Sequence, residues 1–206
     1  MSAPLFAGDV LFFQRLLRAD GFYHDDLDGD WGPNTEKAAR DYDAAAQQIR
    51  SQTRTFDARS EGCILTLSIA AQRRAREFLT KVLDGGVIAR IISGTRTYAE
   101  QDALFRKGRF GNPGPRVTNA RGGQSNHNFG VAWDIGIFTT AGGYLDDGPG
   151  YDKAAALGLP AGGGNVEWGG NWTTFVDRPH YQLALGLSVS QLRQRFEAGT
   201  LDLTPF

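Results

Sequence analysis

The chain has 206 residues, of which 41% are hydrophobic and 22% are charged. This length suits one large domain, or a small module joined to a medium-sized domain, and it can bury a core without a disulfide or a metal. The single cysteine, Cys63, excludes an intrachain disulfide framework and a multi-cysteine zinc site. No apolar run approaches the ~18 residues needed to cross a bilayer. A formal net charge of -1 argues against nucleic acid as the main partner.

The charges divide the chain into two parts. Residues 1–50 carry nine acidic and five basic side chains, whereas residues 51–206 carry fourteen acidic and seventeen basic ones. The stretch between residues 47 and 55 is polar and poor in large apolar side chains, as connecting segments commonly are. We therefore expect a small helical module over residues 1–50 and a larger domain over residues 51–206.

The first segment predicts two short helices around a turn. Apolar side chains recur at roughly helical spacing from Val10 to Leu17, and Gly21 ends that helix. A turn-rich stretch follows, HDDLDGDWGPNTE. A second helix begins near Pro33, because proline is favoured in the first turn of a helix.

Two stretches of this segment, FQRLLRADGFY and DGDWGPNTEKAAR, carry a resemblance to a known module. Over residues 8–46 the sequence resembles the small peptidoglycan-binding module that stands beside many cell-wall hydrolases. It departs from that pattern at Asp41-Tyr42-Asp43, where such modules often have an aromatic residue followed by glutamine. The resemblance implies binding to the cell wall, and the alternative is a helical hairpin that only packs on the main domain.

The second segment predicts helices and strands joined by long glycine-containing loops, which is typical of the α+β class. Thr97 and Glu100 form a capping box that marks one helix start. The β-branched residues of VIARIIS indicate a buried strand. Helices are expected over residues 67–83, 97–107, 154–159 and 190–198, and strands over residues 87–93, 129–138 and 180–185.

Two of the three histidines, His127 and His180, lie in motifs that suggest a metal site. In SNHNFGVAWD, His127 stands seven residues before Asp134, so on one continuous strand the two side chains would face opposite sides. A turn over residues 128–130 lets both point at one ion, and His180 in DRPHY supplies a third ligand from another strand. Two imidazoles, one carboxylate and a position left for water are the makeup of a hydrolytic zinc site.

Asp177 is the candidate proton acceptor. It lies three residues before His180, and Pro179 disfavours helical geometry at the residue before it, so the pair belongs on a turn that enters a strand. A carboxylate there takes a proton from the attacking water and passes it to the leaving amine. Glu167 is the competing candidate, because it too lies near the closing strand.

Four motifs together carry a second resemblance: SGTRTYAEQDALF, VTNARGGQSNHNFGVAWDIG, EWGGNW and DRPHY. Over most of the second segment the sequence resembles the zinc D-alanyl-D-alanine carboxypeptidase family, which includes D-Ala-D-Ala dipeptidases and L-alanyl-D-glutamate endopeptidases. The resemblance implies one zinc ion held by His127, Asp134 and His180. It also implies Asp177 as the catalytic base and Arg96 as the residue that binds substrate and stabilises the oxyanion.

The same resemblance implies a fold and a set of substrate contacts. The fold is a central antiparallel sheet with helices, related to those of Hedgehog domains and D,D-peptidases. Ser125, Gln101 and Trp168 are the candidate substrate-binding residues, although the first two can equally hold loops and Trp168 can equally pack in the core.

The implied function is hydrolysis of an amide bond in the stem peptide of bacterial peptidoglycan. L-Alanyl-D-glutamate endopeptidase activity, as in phage endolysins, is favoured over D-alanyl-D-alanine carboxypeptidase activity. The alternative from another class is a non-catalytic zinc- or wall-binding protein. We expect a monomer that binds peptidoglycan but neither nucleic acid nor membrane.

The N-terminus, MSAPLFAGDV, lacks the basic stretch and apolar core of a secretory signal. We therefore expect a protein made in the cytoplasm that acts on the wall after release by phage lysis or by a dedicated secretion apparatus.

Overall fold

The computed structural model describes residues 7–146 and 148–206, which form an α+β fold. The helices are α1 (Ala7–Ala19), α2 (Pro33–Ser51), α3 (Ala58–Ile64), α4 (Ile69–Asp84), α5 (Tyr98–Arg106), α6 (Gly148–Gly158) and α7 (Val189–Glu197). The strands are β1 (Ala89–Ser93), β2 (Ala132–Phe138), β3 (Tyr144–Leu145), β4 (Val166–Trp168) and β5 (His180–Leu183). Within the described residues, no helix is long and apolar enough to cross a membrane.

The strands form one antiparallel sheet in the order β1-β2-β5-β4, with β3 paired to β2. This arrangement confirms the predicted antiparallel sheet. On the face covered by α4, the ring of Phe78 lies 4.3 Å from that of Tyr181 on β5 and 6.4 Å from that of Trp133 on β2. All three side chains are almost completely buried. The core therefore fixes the two central strands on which the candidate site stands.

The helix signals read from the sequence are confirmed where capping residues mark them. The side chain of Thr97 accepts from Glu100 N–H while Glu100 binds Thr97 N–H, which is the predicted capping box at the start of α5. Pro33 opens α2 as predicted. Gly21 follows α1 with a φ of +78°, a left-handed conformation that glycine adopts without strain.

Three short elements were not predicted: α3, β3 and β4. Asp57 caps α3 by accepting from the backbone N–H groups of Arg59 and Ser60. The helix is only seven residues long, and β3 and β4 have two and three residues. Segments this short show no measurable hydrophobic period, so pattern analysis does not detect them.

The N-terminal helices pack directly on the rest of the chain. The Tyr42 hydroxyl on α2 donates to the Leu67 carbonyl at 2.6 Å and accepts from Gln72 Nε2 at 2.8 Å. The carboxylate of Asp20 accepts from Ile69 N–H, the first residue of α4. The helix α2 runs to Ser51, so the predicted boundary at residue 50 lies in its last turn. The division into two domains stays a prediction.

A buried ion pair ties α2, α3 and α4 together. Both Nη atoms of Arg76 on α4 donate to the carboxylate of Glu61 on α3, at 3.1 and 2.6 Å. Arg50, near the end of α2, lies 3.3 Å from the same carboxylate, and Phe56 N–H donates to it. Arg76 and Glu61 are almost fully buried. Removing one partner therefore leaves an uncompensated buried charge.

We expect Glu61→Ala to lower the free energy of unfolding by about 3–5 kcal/mol, because the Arg76 guanidinium would stay buried without its partner. The control is Glu77→Ala, which removes a half-exposed ion pair with Arg74 on α4 and should cost less than about 1 kcal/mol. Urea denaturation followed by circular dichroism measures both. Equal small losses in the two variants would show that the buried pair does not hold the three helices together.

Candidate active site

The structure brings His127, Asp134 and His180 together in one cluster. His127 Nε2 lies 3.1 Å from Asp134 Oδ1 and 3.2 Å from His180 Nδ1, and His180 Nδ1 lies 3.2 Å from the same carboxylate oxygen. The three candidate ligand atoms all lie within 4.8 Å of one another. This convergence is what the sequence motifs predicted.

Strand pairing and one turn explain the convergence. Asp134 on β2 is the register partner of His180 on β5, and directly opposed residues place their side chains side by side on one face. His127 belongs to a 3₁₀ turn, Asn126–Phe129, that precedes β2. Gly130 then adopts a φ of +75°, so the chain reverses and the imidazole returns over the strand. The turn expected over residues 128–130 is thus present.

The hydrogen-bonding environment of each imidazole leaves a ring nitrogen free to bind a metal. His127 Nδ1 donates to the carbonyl of Gly94 at 2.7 Å, so the lone pair lies on Nε2. His180 Nε2 lies 3.0 Å from Gln182 Oε1, so the lone pair lies on Nδ1. The carboxylate of Glu167 accepts from Gln182 Nε2 at 2.8 Å and so fixes which end of the amide faces His180. The donor set and its tautomers fit a zinc ion.

The electrostatics of the cluster favour a neutral His127 beside an ionised Asp134. Burial lowers the pKa of His127. Burial opposes ionisation of Asp134, yet the two imidazoles hold the pKa of this carboxyl well below its ordinary value. Burial also disfavours the charged form of His180, but its contact with Asp134 outweighs this effect and raises its pKa. The carboxylate is therefore negative throughout the neutral range, as a metal ligand must be.

Arg96 contacts the second oxygen of the Asp134 carboxylate. Arg96 Nη2 donates to Asp134 Oδ2 at 3.1 Å, and Nη1 donates to Gln101 Oε1 at 2.8 Å. Gln101 is fully buried, and its Nε2 donates to the Ala120 carbonyl at 3.0 Å. The structure thus gives Arg96 an orienting contact with a candidate ligand, and it places Gln101 behind Arg96. The predicted substrate contact of Gln101 stays a prediction.

Asn128 is a structural residue that the sequence analysis did not single out. Its side chain is fully buried. Its Oδ1 accepts from Gly123 N–H at 3.0 Å and from Ser125 N–H at 3.3 Å, and its Nδ2 donates to the Arg96 carbonyl at 2.8 Å. One amide therefore joins three segments around the cluster. Ser125 opens the 3₁₀ turn, and its predicted substrate contact stays a prediction.

Asp177 lies at the edge of the cluster, on the turn that enters β5. Burial raises the pKa of its carboxyl, and the negative charge of Asp134 raises it further. Its N–H donates to the Gly169 carbonyl at 3.0 Å. A Cβ at Gly169 would stand 2.5 Å from the Asp177 carbonyl oxygen, so only glycine permits this approach. The close contact of the two loops holds Asp177 beside His180.

Three other residues of this region have surroundings different from those of Asp177, namely Glu167, Trp168 and Trp172. Glu167 is exposed on β4 and reaches His180 only through Gln182. Trp168 stacks on Tyr181 with ring centroids 6.4 Å apart and donates to a backbone carbonyl, so it packs against the sheet. Trp172, rather than Trp168, approaches the cluster, since its ring lies 5.0 Å from that of His180. The predicted substrate contact of Trp168 stays a prediction.

Comparison with known proteins finds a family model that matches the part of the chain around these residues. Residues 118–183 match the family model described as D-alanyl-D-alanine carboxypeptidase, and this range contains His127, Asp134, Asp177 and His180. This part of the chain is similar to that family. The family was the one expected from the motifs.

Two similar proteins are named as L-alanyl-D-glutamate endopeptidases. Peptidoglycan L-alanyl-D-glutamate endopeptidase CwlK of Bacillus subtilis is 36% identical in an alignment of 112 residues that covers 48% of this chain and 62% of that protein. The chain therefore spans less than two thirds of the length of this family relative. The crystal structure of the Serratia marcescens L-Ala D-Glu endopeptidase ChiX is similar with a TM-score of 0.51 at 29% identity. The similarity covers 64% of this chain and 90% of that one.

Proposed function

We propose that the protein is a zinc-dependent peptidase that cleaves the stem peptide of bacterial peptidoglycan. The observation that carries the proposal is the convergence of three ligand atoms, with tautomers set for metal binding, beside a desolvated carboxyl. Zinc itself is inferred from the two imidazoles and one carboxylate, a set that leaves a position open for substrate or water.

His127, Asp134 and His180 would hold the ion through Nε2, a carboxylate oxygen and Nδ1. Zinc, when bound, supplies Lewis acidity at the scissile carbonyl and makes an attacking water more acidic. The hydrogen bonds that the two imidazoles donate to the Gly94 carbonyl and to Gln182 Oε1 keep the rings oriented, which preserves ligand geometry during turnover.

Asp177 would act as the general base and then as the general acid. Its carboxylate takes a proton from the attacking water and returns that proton to the leaving amine. A pKa raised by burial and by Asp134 makes the group more basic and brings proton transfer closer to neutral pH. Glu167 is less suited to this role, because Gln182 stands between it and His180.

Arg96 would stabilise the negative charge that develops on the carbonyl oxygen. A guanidinium stays charged and offers several fixed donors. Two of its nitrogens are occupied by Asp134 and Gln101, which hold the group in one orientation. Pre-oriented donors of this kind stabilise a transition state without having to reorganise.

The bond between L-alanine and D-glutamate is the proposed cleavage site. Support comes from the two similar proteins, whose names both state this specificity. D-Alanyl-D-alanine carboxypeptidase activity is the alternative within the same chemistry, and the description of the matching family model favours it. We further propose that residues 1–50 bind the wall, and that the protein acts there as a monomer.

A non-catalytic zinc- or wall-binding protein is the alternative from another class. Zinc binding alone does not need a proton acceptor at the edge of the cluster. Asp177 is desolvated, within electrostatic reach of Asp134, His180, His127 and Arg96, and held there by a contact that only glycine allows. Hydrolysis uses such a group, and this favours the enzyme.

We expect about one equivalent of zinc per chain in protein purified without chelators. His127→Ala combined with His180→Ala should lose this zinc, because a single carboxylate cannot retain it. His24→Ala is the control, since this histidine is exposed in the N-terminal segment. Elemental analysis of the gel-filtered proteins gives the stoichiometry. Full zinc content in the double variant would contradict the ligand assignment.

We expect Asp177→Ala to keep its zinc and its fold but to lose turnover by about 100- to 10,000-fold, the usual contribution of general acid–base assistance. Glu167→Ala should retain most of the activity, because it only frees the Gln182 amide. Turnover is measured on soluble muropeptides, with zinc content determined on the same samples. A crippled Glu167→Ala beside a nearly normal Asp177→Ala would identify Glu167 as the base.

A further inference from the structure

A cleft of about 610 Å³ lies between the N-terminal helices and the rest of the chain, apart from the His127 cluster. One wall comes from α1 and α2, and the other from α3, the segment between α3 and α4, and the loop before α5. Its size is in the range of small-molecule and oligosaccharide sites, about 300–1,000 Å³. The mechanism proposed above does not use it.

A stacked pair of aromatic rings lines this cleft and presents an outer ring face to it. The rings of Phe13 and Trp31 are stacked, with centroids 5.7 Å apart and planes 12° apart. Trp31 Nε1 donates to Glu36 at 2.8 Å, which fixes the indole in this orientation. Both rings are only half-buried. A pre-oriented aromatic surface of this kind suits a ligand with a flat apolar face.

Four lining residues carry carboxyl groups, of which Asp20 is only partly ionised near neutral pH, because burial raises its pKa to about 7. They are Asp9, Asp20, Asp43 and Glu100, and among the described lining residues none is lysine or arginine. Asp43 has no ion-pair partner in the part of the chain that the structure describes. Carboxylates are acceptors only, so the ligand must present hydrogen-bond donors and must not be an anion.

The aromatic rings and the acidic lining together favour the glycan strand of the wall over the stem peptide. Stem peptides carry carboxylates and would be repelled by the acidic lining. The glycan backbone of N-acetylated sugars presents hydroxyl and amide donors at its edges and apolar C–H faces that can stack on aromatic rings. We propose that the cleft binds a neutral N-acetylated glycan segment, with an outer face of the stacked Phe13–Trp31 pair against a sugar ring and Asp43 accepting from hydroxyl groups.

The position of the cleft connects glycan binding to the candidate active site, and this step rests on the proposed function. Thr95 and Thr97 line the cleft, and the residue between them is Arg96, which contacts Asp134. A glycan strand in the cleft therefore runs past the loop that carries Arg96. The stem peptides attached to that strand would then be held at high local concentration beside the metal ligands.

Gly62→Trp tests the cleft by filling it. Gly62 lines the cleft, and a Cβ there meets no atom within 4 Å, so a large side chain extends into the space without disturbing the helix. The probe is the β-1,4-linked tetrasaccharide of N-acetylglucosamine, titrated calorimetrically into the full chain. We expect binding by the unaltered protein and at least a roughly tenfold loss in Gly62→Trp. The control, Ala44→Trp, is exposed on α2 outside the lining and should bind normally.

Asp43→Asn tests the acceptor role without filling the cleft. Loss of hydrogen bonds to a charged acceptor should weaken tetrasaccharide binding by about tenfold. Asp41→Asn is the matched control, because Asp41 pairs with Lys37 on the same helix and does not line the cleft. Circular dichroism of all four variants checks the fold.

Two results would overturn the proposal: no tetrasaccharide binding by the unaltered protein, or undiminished binding in both cleft variants. Saccharide binding does not depend on peptide hydrolysis. Cleavage of a glycan-free stem peptide, measured in parallel, therefore reports separately on the proposed function. We expect the control variants Ala44→Trp and Asp41→Asn to leave that cleavage unchanged.

Discussion

The Asp134 carboxylate joins the parts from which the candidate site is built. One oxygen lies within 3.2 Å of a nitrogen on each of two imidazoles, and the other accepts from Arg96. These partners come from a 3₁₀ turn, from strand β5 and from the loop after β1. A carboxylate buried here without partners would raise the free energy of the folded state. The Asp134 charge therefore needs the partners that the three segments supply, and it holds those segments together. A metal ion would replace part of that pairing, because the same oxygen and nitrogen lone pairs face one point.

The side chains around this carboxylate are held in place by groups that take no part in the proposed reaction. The Gly94 carbonyl sets the tautomer of His127, and Gln182, oriented by Glu167, sets that of His180. The Asn128 amide connects the turn to the loop of Arg96. Ring orientation is therefore fixed before any ligand arrives, as catalysis by pre-oriented groups requires.

Much of the site could be predicted from the sequence, because its chemistry depends on residue types in short motifs. The turn between His127 and Asp134 followed from their spacing and from Gly130. The pairing of Asp134 with His180 could not be derived in the same way, because strand register between distant segments depends on tertiary packing. The contact of Gln182 with His180 could have been predicted, since the alternation of side chains along a strand puts both residues on the same face of β5.

The other structural features that were not predicted from the sequence also have physical explanations. The helix α3 and the strands β3 and β4 are too short to show a hydrophobic period. The contact of Tyr42 with the Leu67 carbonyl links residues 25 positions apart, and no local pattern encodes it. The cleft beside that contact therefore could not be predicted from the sequence. Trp168 was the tryptophan singled out from the sequence, and only the geometry shows that the ring of Trp172 is the one that approaches His180.

Mass spectrometry of purified peptidoglycan after digestion tests the central claim most directly, because it identifies the bond that the protein cuts. The same digestion with chelator-treated protein is the control. Cleavage between L-alanine and D-glutamate should produce new D-glutamyl amino termini and glycan strands that still bear L-alanine. Release of free D-alanine with intact L-alanyl-D-glutamate linkages would contradict the account and establish the carboxypeptidase alternative.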